Sequence, residues 1–162
     1  MKKMFLLICM VCLVLCANSQ GIKLKITGVT PADGEEVIAF ETSDTIPITP
    51  STGSGSGAGL PVFEFVKIKK LSGLSSNELF RRSLLGTHTA EMSFEFTDLQ
   101  GVLFYKIVLK DVLISHFSYL SPECQGCTKL FHQVWFDYRQ IEVTDVATGI
   151  IIKYNRNTRA VS

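Results

Sequence analysis

Apolar and polar side chains alternate with a period of two along most of this chain, which is the pattern of β-strands with one buried face. The segments with this or an extended apolar pattern are 22–26, 36–48, 61–68, 90–96, 103–110, 111–117, 130–143 and 150–152. Turn-forming sequences separate several of them, at 31–34, 98–101 and 145–149. The adjoining segments 103–110 and 111–117 predict one long bent strand or two linked strands.

The strand 130–143 is predicted to be covered in part on both sides, because both of its faces carry apolar groups. One face is predicted to hold Phe131, Gln133, Trp135, Asp137, Arg139 and Ile141. The other face is predicted to hold His132, Val134, Phe136, Tyr138 and Gln140.

A single short helix is predicted over 78–85. Ser75 and Ser76 are candidate N-caps, and Glu78 stands at the capping-box distance from Ser75. Gly86 suits a left-handed C-cap. A helix of about ten residues is marginal alone, so we expect it to pack against the sheet.

Many strands with one helix and no internal repeat predict a mainly β fold. We expect a small closed β-barrel with one short α-helix and a long Gly/Ser-rich loop, since closure removes exposed strand edges. The length of 162 residues suits one domain.

The N-terminus predicts a signal peptide over residues 1–19, which leaves one domain over 20–162. Lys2 and Lys3 precede an apolar run, 4–15, that is short for a membrane span. Small residues at Ala17 and Ser19 predict cleavage before Gln20. We therefore expect the mature chain to be secreted or periplasmic and not to insert stably in a membrane. A lipoprotein cysteine at Cys16 is the alternative, disfavoured by the large Leu15 before it.

The mature chain is close to electrically neutral. The full chain has 16 Lys+Arg and 15 Asp+Glu, so removing Lys2 and Lys3 leaves 14 against 15. Nucleic-acid binding rests on a basic surface that neutralises phosphates, so we expect no nucleic-acid partner. A near-zero net charge does little to oppose self-association.

Two cysteines remain after the signal peptide, Cys124 and Cys127. In an oxidising, exported setting a disulfide between them is the leading interpretation. A redox-active pair is an alternative, but it needs a helix N-terminus to lower the thiol pKa. A zinc site that also uses His132 is a third, and it lacks a fourth ligand nearby.

A Gly/Ser-rich segment interrupts the strand pattern and is predicted to be a long loop within the single domain. It comprises Ser51, Thr52, Gly53, Ser54, Gly55, Ser56, Gly57, Ala58 and Gly59. An interdomain linker is disfavoured, because about 30 mature residues precede it, too few for a core of their own. A phosphate-binding loop is disfavoured because a strand pattern, not a helix, follows it.

No catalytic motif or cofactor site is apparent, so we expect a non-enzymatic protein without cofactors or metals. The three histidines are His88, His116 and His132, and the last two lie in strand patterns. An alternative function is a secreted monomeric β-sandwich that binds carbohydrate or acts like an adhesin, with Trp135, Phe136 and Tyr138 as a sugar platform.

The order of these segments resembles the Hcp family of type VI secretion tube proteins. The resemblance rests on the Gly/Ser-rich loop running into 60–70, the short helix from Ser76, the strands 88–96 and 105–115, and the strand 134–143. It covers about 22–148 and depends on order and spacing rather than on one motif.

The resemblance implies a homohexameric ring that stacks into a tube, carries effector cargo in its lumen and is capped by a spike protein. It also implies that the loop 51–59 contacts a neighbouring ring, and it carries over no catalytic residues. The signal peptide and the cysteine-bearing loop depart from the family pattern, which puts the injection role in doubt more than the fold.

Overall fold

The computed structural model describes residues 20–42, 44–45, 48–49, 57–58, 62–121 and 129–162. The strands of this part are β1 (Gly21–Lys25), β2 (Glu35–Val37), β3 (Ala39–Glu41), β4 (Asp44–Thr45), β5 (Ile48–Thr49), β6 (Gly57–Ala58), β7 (Val62–Phe63), β8 (Val66–Leu71), β9 (Thr89–Thr97), β10 (Leu103–Leu120), β11 (Phe131–Asp145), β12 (Ile150–Asn155) and β13 (Ala160–Val161). The helix α1 spans Ser76–Leu85. The predicted mainly β fold with one short helix is confirmed for the described residues.

The hairpin β10–β11 is the centre of the main sheet. In that sheet the strands run in the order β13-β12-β11-β10-β9-β1-β2. The first half of β11, from Phe131 to Phe136, pairs with β8, and the half from Gln140 to Asp145 pairs with β12. One long strand therefore joins two groups of shorter strands.

The prediction of a closed barrel is wrong in one respect, because the ladder of paired strands does not close. β2 pairs with β1, whereas β3, one residue further along, pairs with β8. Ile38 lies between them and donates its backbone N–H to Lys69 at 2.8 Å. The chain thus bends at Ile38 from the strand that pairs with β1 to the strand that pairs with β8. This covalent connection joins two ends of the sheet that strand pairing would join in a closed barrel.

The long strand β10 is bent at Asp111, which adopts a φ of 51°. Leu109 and Val112 are both buried, so the side chains that face the core change parity across this residue. The partner strand changes parity opposite it, with Tyr138 and Ile141 buried. The prediction that Ile141 shares a face with Trp135 and Arg139 is therefore wrong, because the bend shifts the alternation.

The core is one cluster of apolar side chains that come mainly from the strands of the main sheet. Aromatic rings run through it: the centroids of Phe40 and Phe94 are 4.8 Å apart, and those of Phe94 and Phe136 are 6.1 Å apart. Leu24, Ile68 and Met92 are among the other buried members.

Helix α1 packs on the outer half of β10, as its shortness required. The Phe80 ring lies 5.3 Å from Phe117 and 5.6 Å from Tyr119 between centroids. The helix ends at Gly86, whose φ of 61° is the predicted left-handed cap. Ser75 precedes the helix but makes no capping bond with its side chain, which binds Glu35 instead.

Candidate assembly surfaces

Strand β12 exposes an apolar segment on both of its faces. Ile150, Ile151 and Ile152 are 59%, 48% and 52% exposed, although neighbours in a strand point to opposite sides of the sheet. β13 covers only the far end of β12, from Lys153 to Asn155. Among the described residues, no strand pairs with the outer edge of Ile150–Ile152, which leaves an apolar strand edge in water. We call these three residues the isoleucine edge.

The same end of the sheet carries further exposed apolar side chains. The backbone N–H of Val146, just before the isoleucine edge, donates to the carbonyl of Phe104 at 3.0 Å, and both side chains are exposed. The β9–β10 turn, which precedes Phe104 in the sequence, carries two more exposed apolar side chains, Leu99 and Val102. This turn is well ordered by Asp98, whose carboxylate accepts the N–H groups of residues 100 and 102.

Oppositely charged side chains cover the outer face of the β1–β9–β10–β11–β12 region. Glu95 binds Lys25 at 2.7 Å and lies 3.9 Å from Lys106, while Glu142 binds Lys153 at 3.1 Å. Such exposed pairs contribute little to stability. Their effect is to make this face strongly polar, which contrasts with the apolar end of the sheet.

A second polar cluster surrounds the bend at Asp111. Its carboxylate binds His88 Nδ1 at 2.7 Å and Arg139 Nε at 3.0 Å. Asp137 pairs with Arg156 nearby. All of these groups are partly or largely exposed, and they form an ion-pair network over the bend.

The helix surface has its own ion-pair cluster. Hydrogen bonds from Arg81 and then Arg82 lower the pKa of the Glu78 carboxyl to about 2. The same contact with Glu78 raises the pKa of Arg81. These i,i+3 and i,i+4 pairs stabilise α1 locally.

The proposed sugar platform of Trp135, Phe136 and Tyr138 does not form, because alternation separates its members. Phe136 and Tyr138 lie in the core, and burial raises the pKa of Tyr138 to about 12. Trp135 faces outward, with its ring 4.4 Å from that of His116 and the Lys67 ammonium over it. A single aromatic ring under a lysine is not a flat aromatic surface for a sugar.

The histidines lie apart from one another in three different settings. His88 is bound to Asp111 on the surface, His116 contacts Trp135 edge-to-face, and His132 is buried. Among the described residues, no group of three or more His, Cys, Asp or Glu side chains is arranged to hold a metal ion.

Several predicted features lie outside the described residues. They are residues 1–19, both Cys124 and Cys127, and most of the loop 51–59. Of that loop the structure describes Gly57–Ala58, which form β6 and pair with β5. In the part of the chain that the structure describes, no helix is long and apolar enough to cross a membrane.

Comparison with known proteins agrees with the fold. The chain matches the family model described as type VI secretion system effector, Hcp, over residues 20–144. No curated protein sequence matches it.

Solved structures with the same fold include three from named bacteria. Hcp1 from Salmonella typhimurium is 16% identical, with a TM-score of 0.74 over 89% of this chain and 99% of that one. Hcp3 from Pseudomonas aeruginosa, described as a secreted protein, is 18% identical, with a TM-score of 0.68 over 85% and 98%. Hcp1 from Flavobacterium johnsoniae is 12% identical, with a TM-score of 0.64 over 84% and 99%. Since the family model covers most of the chain and the described strands and helix build the same fold, the chain belongs to the Hcp family of type VI secretion system proteins.

Proposed function

We propose that the mature chain, residues 20–162, is a non-enzymatic structural subunit that assembles with copies of itself into hexameric rings. The observation that carries this proposal is the isoleucine edge, an exposed apolar strand at one end of the sheet. The isoleucine edge favours association because exposed apolar surface and unpaired strand edges both promote contact between chains. Family membership supports the same role.

The energetics favour contact between copies over solvent exposure. Full burial of an isoleucine side chain stabilises by about 1.5–3 kcal/mol, and these three side chains are about half exposed. Burying what remains would thus contribute a few kcal/mol, before the costs of association. A ring needs a head-to-tail contact, so the isoleucine edge would meet a different surface of the next subunit.

Export and stacking extend the proposal. Cleavage before Gln20 would release the subunit to a secreted or periplasmic location, where Cys124 and Cys127 would form a disulfide. The loop from Ser51 to Gly59 would contact a neighbouring ring. Effector cargo and a spike protein are the further partners that the family role would bring.

A charge placed in the isoleucine edge tests the proposal. We expect Ile152→Lys to shift sedimentation of the purified protein from a ring toward a monomer, because a lysine in an apolar contact carries an unpaired charge. Thr158→Lys adds the same charge at an exposed turn just beyond β12 and should leave the ring intact.

A wild-type protein that sediments as a monomer at high concentration would contradict the proposal. A monomeric secreted binding module would then be the better description. Equal effects of the two lysine variants would instead show that the isoleucine edge is not the contact.

A further inference from the structure

One lysine of β8 points into the protein and meets a carboxylate there. Lys70 is fully buried, on the same face of β8 as the core residues Val66 and Ile68. Its ammonium lies 3.3 Å from the Glu35 carboxylate and donates to the carbonyl of Leu71 at 2.9 Å.

The same cluster holds the start of helix α1. The Lys70 ammonium also donates to the Ser76 hydroxyl at 3.2 Å, and the Ser75 hydroxyl donates to Glu35. Ser76 in turn accepts the backbone N–H of Gly73 at 2.9 Å. A carboxylate at a helix N-terminus is favourable, so Glu35 fixes the helix start to the sheet.

His132 lies directly beside Lys70, as its partner across β8 and β11. It is 2% exposed, and neither ring nitrogen has a hydrogen-bond partner among the residues that the structure describes. Its ring packs 5.1 Å from Phe117 and 5.0 Å from Tyr119 between centroids. Both of these rings also contact Phe80 of α1, so His132 lies beneath the helix-docking contact.

The charges around His132 oppose its protonation. The titratable or charged groups that face it are Lys70 from β8, Glu35 from β2 and Tyr119 from β10. From α1 comes the Ser76 hydroxyl, bound to Lys70, while Glu78 is bound to arginines on the helix surface.

In this cluster the Glu35 carboxylate is already paired with the Lys70 ammonium. A charged imidazole would add a second cation without a second anion. Contact with two aromatic rings would offset part of that cost, but burial and the adjacent ammonium act against it.

We propose that protonation of His132 below neutral pH releases α1 and the adjoining end of the β10–β11 hairpin from the sheet. This acid-operated latch is independent of ring formation. It would loosen one side of the subunit while β9 and β12 stay paired, because neither strand contains or pairs with a residue of the Lys70–Glu35–His132 cluster.

The direction of the pH effect follows from linkage. Burial, and then the Lys70 ammonium, lowers the pKa of His132 below its ordinary 6.5, and the Glu35 carboxylate opposes this shift only in part. The open state therefore binds a proton near pH 6.5 that the closed state does not. As pH falls below 6.5, the opening equilibrium constant rises by about tenfold per pH unit for this one proton, until the closed-state pKa is reached.

Amide hydrogen exchange at about pH 7.5 and about pH 5.5, corrected for the intrinsic exchange rate, tests the latch. In the wild-type protein we expect protection of α1 and residues 117–121 to fall by about tenfold more than that of β9 and β12. His132→Gln should remove this difference. His116→Gln, the same change at an exposed histidine of β10, should keep it.

Equal pH dependence in the wild type and His132→Gln would overturn the proposal, as would a uniform loss of protection across all strands. If His132→Gln does not fold, the wild type still decides. Its His132 ring nitrogens, followed by NMR, must still be neutral in the closed subunit at a pH below 6.5 at which α1 has begun to lose protection. A ring already charged at neutral pH would overturn the latch.

Discussion

Asp111 is the residue on which the bend of the central hairpin depends. A φ of 51° is the left-handed region, which costs most L-residues about 1–2 kcal/mol and Asp less, because its short side chain bonds locally. Here the Asp111 carboxylate binds His88 and Arg139, which offsets part of that cost. The local backbone cost permits the change of parity that places both Leu109 and Val112 in the core.

Substitutions at Asp111 separate backbone strain from ion pairing. We expect Asp111→Val to lower the free energy of unfolding by about 2 kcal/mol, since it loses the ion pairs and places a β-branched residue in the left-handed region. Asp111→Gly loses the same pairs, worth about 0–1 kcal/mol each at the surface, but relieves the backbone, so its net change should be under about 1 kcal/mol.

Urea unfolding at neutral pH measures both variants. Glu91→Val is the matched control, because Glu91 is an exposed acidic residue on the neighbouring strand β9 without a positive φ. It should change stability little. Equal losses for Asp111→Val and Asp111→Gly would show that the backbone at Asp111 carries no strain.

At the scale of elements, most strands and the helix could be predicted from the sequence, because period-two alternation and capping residues are local signals. Residues 103–120 form one long bent strand, one of the two predicted alternatives. The predicted face of Ile141 was wrong, because the face that it occupies depends on a bend in the partner strand. Lys70 gives no sign of burial, since Glu35, its partner, lies far away along the chain.

Exposure of whole elements was equally hidden from the sequence. Three consecutive isoleucines predict a strand, and the strand is there. Whether its faces are covered depends on what packs against them, which alternation does not report. The same holds for Leu84 and Leu85, apolar residues of the predicted helix that lie exposed at its end.

The Gly/Ser-rich loop can be tested as an element. The pair β4–β7 flanks it, and its residues Gly57–Ala58 form β6, which pairs with β5 before the loop. We expect replacement of Ser51–Gly59 by a short turn to leave a cooperatively folded subunit, because β6, the described part of this segment, and its partner β5 lie outside the main sheet. If the loop contacts a neighbouring ring, stacking should weaken while single rings persist.

Thermal unfolding of the loop-replacement variant measures its cooperativity, and sedimentation measures the stacking of its rings. Loss of cooperative melting would show that the loop belongs to the core. Unchanged stacking would show that it makes no contact between rings.

At the scale of the whole molecule, three features support the proposal that the chain is exported and assembles. The mature chain is near neutral, the sheet ends in an exposed apolar edge, and the first 19 residues have the pattern of a signal peptide. The fold is that of the Hcp family, and the predicted signal peptide would distinguish this chain from the family pattern.

Intact-mass measurement on secreted material tests the export account. We expect a chain that begins at Gln20 and has lost two hydrogens to a Cys124–Cys127 disulfide, because cleavage exposes the chain to an oxidising compartment. Reduction should restore the two hydrogens. A chain that begins at Cys16 and carries lipid, or one that retains residues 1–19, would contradict this account.

Electron microscopy of the purified wild-type protein tests self-assembly most directly. Class averages should show closed rings with sixfold symmetry, alone or in stacks. A field of single subunits at concentrations well above those in the cell would contradict it, whatever the fold of each subunit.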